Sequence, residues 1–385
     1  MAGMSRPSRA VVLGLVAALA ALLGPAIAGA APAASPAPLT GETLGPDRLP
    51  RCAAVAAAMT PRDRLAQRLM VGVDASDPAA AAATVRATQV GGIFLPGNAT
   101  ALLTNQALRG VQAMARIPLA VAVDDEGGRV QRIDELDGNL PSARAMAAQF
   151  TPQQVMELGR ERGRAQLARG ITMNLAPTVD LGGQPARAVI GDRAFSEDPG
   201  WVVSYAGAFA EGERDAGIFT VLKHFPGHGR ANGDSHRGRV TAPPVDDLRA
   251  RDLQPYAVLL GPGGPLADGN TGVLVGHLDV PGLTTDLPSS LTPAVYELLR
   301  TEYKFDGLVL TDDLGAMRAI TGTFGLPEAV ERALAAGADM ALWSGGGDAT
   351  PVLDHLEQVL SAGGISQQAN DEAVTRVLRA KHTCS

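Results

Sequence analysis

Residues 219–229 read FTVLKHFPGHG, an apolar run that passes directly into a polar loop carrying Lys223, His224 and His228. The same arrangement recurs along the 385-residue chain. RLMVGV (68–73), GGIFLPG (91–97), PLAVAV (118–123), TMNLAP (172–177), TGVLVGHLDV (271–280), GLVLTDD (307–313) and ADMALWSG (338–345) bring the number of such runs to eight. Their near-continuous hydrophobicity suits parallel strands covered on both faces. Between them lie helix-start signals: Thr60-Pro61, Thr151-Pro152 with Gln154, and Thr292-Pro293. Eight alternations predict an α/β chain folded as a single (β/α)8 TIM-type barrel. A doubly wound open sheet shares the local pattern and is the competing architecture. The polar clusters favour the barrel, because they follow the strands: DDEGGRVQR the third, PTVD the fourth, KHFPGHG the fifth, HLD the sixth and TDD the seventh. In a barrel those loops meet at one mouth. No solenoid-type repeat is present, and residues 350–382 read as a helix or two with no second domain.

The first thirty residues hold Arg6 and Arg9, the apolar run AVVLGLVAALAALLG (10–24), and small residues at A-x-A spacing. This predicts a cleaved secretory signal over 1–30, too short and wrongly flanked for a spanning helix. A lipid anchor needs a cysteine directly after the small-residue site, whereas the first cysteine is Cys52. The chain is therefore expected to be secreted, extracellular or associated with the cell wall. Residues 31–50, opening APAASPAPLTGETLGP, form a Pro/Ala-rich leader, and the barrel domain is expected over 51–385. Cys52 and Cys384 stand at the two ends of that domain. In an oxidising compartment they are expected to bridge, which the chain-entropy model values at about 4 to 5 kcal/mol. The formal charge of −7 argues against a nucleic-acid partner, since neutralising phosphates takes a basic surface. A small polar ligand is expected, bound by a monomer.

KHFPGHGRANGDSH (223–236) gathers three of the six histidines of the chain. A metal ion is the first hypothesis. His224 and His228 have i, i+4 spacing, but Pro226 and Gly227 between them preclude a helix, and His236 lies eight residues beyond. No metal and no cofactor are predicted, which leaves proton chemistry and hydrogen bonding. Asp234 beside His236 is a compact acid and imidazole pair, the carboxylate orienting the ring as a general acid/base requires. Glycines flank it, as in a loop that moves. No G-x-S-x-G elbow exists for a serine triad. Asp312 and Asp313 end a Leu/Val strand; alternation points them to opposite sides without saying which faces a pocket. The plainer reading of the pair is a solvated strand end or a cap for the following segment. DDEGGRVQR and GDRAF (191–195) offer acids and arginines that bind hydroxyls or merely pair at the surface.

With KHFPGHG, the following DSH, DEGGRVQR and TDDLGAM in place on an apparent barrel, the sequence resembles the family 3 glycoside hydrolases, specifically their single-domain β-N-acetylglucosaminidase (β-hexosaminidase) branch. The resemblance runs from about residue 60 to 345. It implies that Asp312 is the nucleophile and His236 the general acid/base, oriented by Asp234. It further implies that Asp124, Arg132, Arg193, Lys223 and His224 grip the terminal sugar, while His228 shapes the loop. Asp125 stands where the branch has glutamine, and LGAM where LSM is usual. The reaction implied is exo-acting, retaining removal of terminal β-linked N-acetylglucosamine by double displacement. Aromatics make up 4% of the chain, with two tryptophans, so a short pocket is expected instead of a long platform-lined cleft. Export makes peptidoglycan (muropeptide) fragments the natural candidate substrates, with chitin oligosaccharides the alternative that the sequence leaves open. Two alternatives remain: a substrate-assisted hexosaminidase using an adjacent pair such as Asp125-Glu126 or Asp312-Asp313, and a non-catalytic sugar-binding protein.

Overall fold

The computed structural model describes residues 48–384. The signal segment and nearly all of the leader lie outside the described residues, and a helix, Arg48–Ala57, begins just inside the expected leader boundary. Eight strands follow: β1 (Leu69–Gly72), β2 (Gly92–Phe94), β3 (Ala120–Val123), β4 (Met173–Asn174), β5 (Phe219–Phe225), β6 (Thr271–Val275), β7 (Val309–Asp313) and β8 (Met340–Trp343). They pair in chain order into a closed parallel barrel, with β8 returning to β1. Every one of the eight apolar runs supplies a strand, and the open-sheet alternative is excluded.

Alternation along the strands sorts their side chains into two apolar clusters. Met70, Phe94, Ala120, Ala122, Met173, Leu175, Phe219, Val221, Leu274, Leu308, Leu310, Met340 and Leu342 form one, inside the barrel. Their neighbours, among them Val71, Ile93, Val121, Val273, Val309 and Trp343, join the other, facing the helices. Both faces of each strand are thus dry, as the unbroken hydrophobicity requires. The inward parity also sets what the strands present at their C-terminal ends. Ala120 and Ala122 lead to Asp124, Phe219 and Val221 lead to Lys223, and Leu308 and Leu310 lead to Asp312.

The opposite end is closed by the chain terminus. Val377 and Ala380, from the helix Gln367–Ala380, enter the interior cluster. Cys52 and Cys384 are disulfide-bonded with a Cα–Cα distance of 5.0 Å, so the two ends of the domain are fastened together. Helix starts follow the sequence signals in two of three cases. Thr60 accepts the Asp63 N–H, and Thr151 with Gln154 forms a full capping box. Thr292 instead donates its hydroxyl to the carbonyls of Leu287 and Pro288, so the helix Pro293–Glu297 starts without a side-chain cap.

Candidate active site

The C-terminal ends of the strands surround a cavity of about 310 Å³. Asp124, Arg132, Arg193, Lys223, His224, His236 and Asp312 all line it, joined by Glu126, His228, Asp313, Met317 and Ser344. Of the residues assigned from the sequence, only Asp234 does not line the cavity directly; it sits behind His236. Among the described residues, no group of three or more His, Cys, Asp or Glu side chains is arranged to hold a metal ion.

β7 separates its two aspartates by their hydrogen bonding. Asp313 is fully engaged: Oδ1 accepts the N–H groups of Gly315 (2.8 Å), Ala316 (3.1 Å) and Ser344 (3.2 Å), and the Ser344 hydroxyl donates to Oδ2. It therefore caps the turn after β7 and ties β7 to β8. The cap expected of this pair is real, but it belongs to Asp313 alone. Asp312 accepts a single bond, from the Asp313 N–H at 2.9 Å on Oδ1, and Oδ2 has no partner among the described residues. Both carboxylates reach the cavity because the pairing register of β7 with β8 shifts between Leu310 and Asp313. Burial opposes the charge on Asp312. The nearby His277 and His224 rings, the Asp313 amide and Lys223 outweigh it, and the carboxyl lies below its ordinary pKa. His277 is itself pushed down by burial, and its Nε2–H donates to the Asp313 carbonyl (3.0 Å).

The cations of the pocket are held in a chain of ion pairs. Lys223 Nζ lies 2.5 Å from Asp124 Oδ1 and 2.6 Å from Glu126 Oε1. Arg193 forks onto the same Glu126, with Nε to Oε2 at 2.8 Å and Nη2 to Oε1 at 2.7 Å. Burial works against the Glu126 charge, but these two cations drive its carboxyl far below the ordinary range. The 188–193 turn bearing Arg193 is itself clamped: Arg129 donates to the carbonyls of Ala188, Val189 and Ile190 and to Asp192 Oδ1. The two arginines of GGRVQR thus divide. Arg129 fixes a wall, while Arg132 lines the cavity with no ion pair among the described residues.

Asp125 faces away from the cavity, as its outward parity dictates. Completely buried, it takes Arg162 Nε at 2.6 Å on Oδ2 and Nη2 at 2.9 Å on Oδ1, with Gln166 Nε2 at 3.0 Å. Asn174 ties the same peptide down, accepting the Asp125 N–H and donating to its carbonyl. The departure from glutamine at this position therefore serves the scaffold, and Asp125 and Glu126 cannot act together on one ligand. Gly127, at φ +95°, lets the chain turn here; a Cβ would stand 2.3 Å from the Pro141 carbonyl oxygen.

The loop after β5 carries the imidazole pair. The Lys223–His224 and Phe225–Pro226 peptides are cis. Asp234 Oδ1 accepts from His236 Nδ1 at 2.8 Å and from the His236 N–H at 3.0 Å. Partial burial opposes the Asp234 charge, and its bonds to His236 more than compensate, so its carboxyl is lowered. The His236 side chain is 61% exposed. The loop is anchored: Asn232 and Thr241 exchange two hydrogen bonds, Arg239 forks onto Asp279, and the Ser235 carbonyl accepts the Ala319 N–H. Gly229, in the same loop, has no room for a side chain, because a Cβ there would lie 2.0 Å from the Leu181 carbonyl oxygen.

Sequence reasoning assigned no role to Asp180 and none to Ser344. Glu126 entered only as half of the substrate-assisted pair, although its place two residues beyond Asp124, with the same parity, was a usable signal. Nothing in the PTVD segment marked Asp180 out. Its carboxylate is buried and accepts from His224 Nδ1 (2.7 Å), the His224 N–H (3.3 Å) and the His228 N–H (2.6 Å).

Comparison with known proteins agrees with this geometry. The glycosyl hydrolase family 3 N-terminal domain matches residues 60–380. The chain is 46% identical over 382 residues to beta-hexosaminidase LpqI of Mycobacterium tuberculosis, covering 96% of each protein. The solved M. tuberculosis LpqI structure superposes with a TM-score of 0.81 at 49% identity, over 86% of this chain and 96% of that one. A family 3 β-N-acetylglucosaminidase from Paenibacillus sp. gives 0.75 at 29% identity, over 85% of this chain and 63% of that one.

Proposed function

The chain belongs to glycosyl hydrolase family 3 and is a β-N-acetylhexosaminidase; from that premise we propose that it removes single terminal β-linked N-acetylglucosamine residues by a retaining double displacement. The observation that carries the reading is the state of Asp312. It is the cavity carboxylate that is buried, ionised, free of any direct cation and open at one oxygen, whereas Asp124 is tied to Lys223, Glu126 to two cations and Asp313 to its turn. An ionised carboxylate with a free oxygen can attack an anomeric carbon. His236 on the same cavity, held by Asp234, then protonates the departing oxygen and later activates water. Arg132, Arg193, Lys223, His224 and Asp124 bind the sugar.

The small cavity supports action on chain ends. Export, expected from the first thirty residues, favours peptidoglycan fragments in which N-acetylglucosamine is joined to N-acetylmuramic acid, outside the cell or at its wall. No cofactor takes part in these steps.

The test exploits the division of labour. Protonation matters most for a poor leaving group and is worth about 10² to 10⁴-fold. His236→Ala is expected to lose that much on a natural disaccharide while still transferring sugar from a dinitrophenyl glycoside to Asp312. The second step lacks its base, so a covalent intermediate accumulates, visible as one sugar added to the Asp312 peptide. Azide restores turnover with retained β configuration. Equal losses on good and poor leaving groups, with no azide rescue, would remove His236 from the proton-transfer role. Failure of a 2-fluoro or 5-fluoro analogue to label Asp312 would favour the substrate-assisted route.

A further inference from the structure

We propose that Asp180 is a positioning residue of the sugar pocket: it locks His224 in the Nδ1–H tautomer and thereby fixes the guanidinium of Arg193. The proposal rests on reading this cavity as the site of hydrolysis. The nitrogens of Arg193 can only donate. Its Nη2 stands 3.3 Å from His224 Nε2, so that ring nitrogen has to be bare and accepting. The ring hydrogen then belongs on Nδ1, where Asp180 Oδ2 receives it at 2.7 Å. Which imidazole nitrogen carries the hydrogen is set by the partner of the other, and here both partners demand the same answer.

The consequence reaches the ligand through Arg193. Nε and Nη2 are on Glu126, Nη2 also meets His224, and Nη1 meets the Val189 carbonyl at 3.3 Å. Of the five N–H groups of a guanidinium, one on Nη1 stays available to the sugar, in a plane that cannot rotate. Asp180 suits the anchoring task. It is completely enclosed, and although burial opposes its charge, the His224 ring and the His228 N–H hold its carboxyl below the ordinary range. The same two oxygens also accept the backbone N–H groups of His224 and His228, so one carboxylate sets both the tautomer and the course of KHFPGH.

An asparagine in place of Asp180 has one oxygen for the three N–H donors that the two carboxylate oxygens now accept, so its NH2 group must face either the His228 N–H or the His224 ring, and in the second case it suits the opposite tautomer. His224 would then point Nε2–H at Arg193, donor against donor, and the guanidinium would be displaced. Losing an oriented hydrogen bond to a charged group corresponds to roughly 10- to 100-fold in kcat/KM. The loss is expected mainly in KM, since sugar binding precedes chemistry.

The test is long-range ¹H–¹⁵N spectroscopy of the histidine rings in uniformly labelled enzyme at neutral pH, with His224→Gln identifying the His224 signals. Nδ1–H with a bare Nε2 is expected in the wild type, and Nε2–H in Asp180→Asn. Kinetics on a fluorogenic N-acetylglucosaminide are expected to show the KM rise in Asp180→Asn, with Arg193→Gln costing less in that background than in the wild type. A wild-type spectrum showing Nε2–H or a doubly protonated ring overturns the inference, whether or not the variant folds. An unchanged tautomer and KM in a folded Asp180→Asn does so too. Wild-type enzyme without hexosaminidase activity would instead sink the reading of the pocket, which the spectrum alone does not touch.

Discussion

Replacing each aspartate of β7 by asparagine in turn should separate chemistry from architecture. The Asp313→Asn variant keeps an oxygen for the Gly315, Ala316 and Ser344 N–H groups but loses the charge those bonds were made to. Hydrogen bonds to charged groups contribute about 1.5–3 kcal/mol and neutral ones about 0.5–1.5, so a net loss of about 1–3 kcal/mol is expected. At roughly 2–4 °C per kcal/mol, somewhat less in a domain of this size, the melting temperature should fall by about 2–6 °C. Activity should fall by less than about 10²-fold, the scale of a modest misplacement of neighbouring Asp312. Asp312→Asn should do the reverse. The single amide bond survives on Oδ1, but the charge that the surroundings favour over burial disappears, so stability should hold or fall slightly. Activity should fall by about 10⁴-fold or more, as when an attacking group is removed. Initial rates on a fluorogenic N-acetylglucosaminide and thermal melts at pH 7 measure both axes. If Asp313→Asn loses as much activity as Asp312→Asn with its melting temperature unchanged, the assignment of roles within TDD is wrong.

Reduction of Cys52–Cys384, or Cys52→Ser, is expected to lower the denaturant midpoint by the equivalent of about 2–5 kcal/mol and leave kcat at 25 °C unaltered, because the bridge closes the end of the barrel away from the cavity. Lys381 donates to Gln67 Oε1 and the Gly91 carbonyl at that same end, and burial pushes its pKa down to about 7. An unfolded lysine titrates near about 10.4, so between about pH 7 and 10 the unfolded chain binds more protons and stability should rise with pH. Urea midpoints at pH 7, 8 and 9 should show that rise in the wild type and a flatter profile in Lys381→Met; equal slopes would refute the assignment.

The barrel was readable in the sequence because buried parallel strands have to be apolar on both faces, and eight such runs leave little else to build. The end of β7 was not readable to the same depth. Alternation allowed either Asp312 or Asp313 to face inward, and the choice lies in which of Leu308 or Val309 packs inside, a matter of closure of the whole sheet. The same closure turns Asp125 outward to Arg162, although DDE in the sequence looks like three equivalent acids. Asp180 was hidden for another reason: its partners come from residues forty-odd positions later in the chain, and no local spacing records a contact of that range. The need for glycine at 229 was hidden in the same way, since what excludes a side chain there is the Leu181 carbonyl on a different loop.

In the proposed mechanism, where the two catalytic groups sit also accounts for what they are. Asp312 ends a strand and is held by a peptide bond and by the electrostatics of a closed wall, so its carboxylate stays ionised and fixed without a cation in contact. The proton donor has the opposite need: it has to hold a proton at neutral pH and exchange it with water once the first sugar has left. A carboxylic acid can do that only if burial lifts its pKa by roughly two or three units, as glycosidase acids on rigid walls are lifted. The loop bearing position 236 provides no such burial, since the side chain there is 61% exposed. A carboxyl at that exposure would titrate near about 4 and reach neutral pH without its proton. An imidazole needs no such lift by burial, only orientation, which Asp234 gives through Nδ1 while leaving Nε2 for the substrate. An exposed loop therefore selects histidine for the acid/base, and the ionised carboxylates already crowded around Lys223 and Arg193 add to the selection, because a further acid near them would have to be kept neutral against their field.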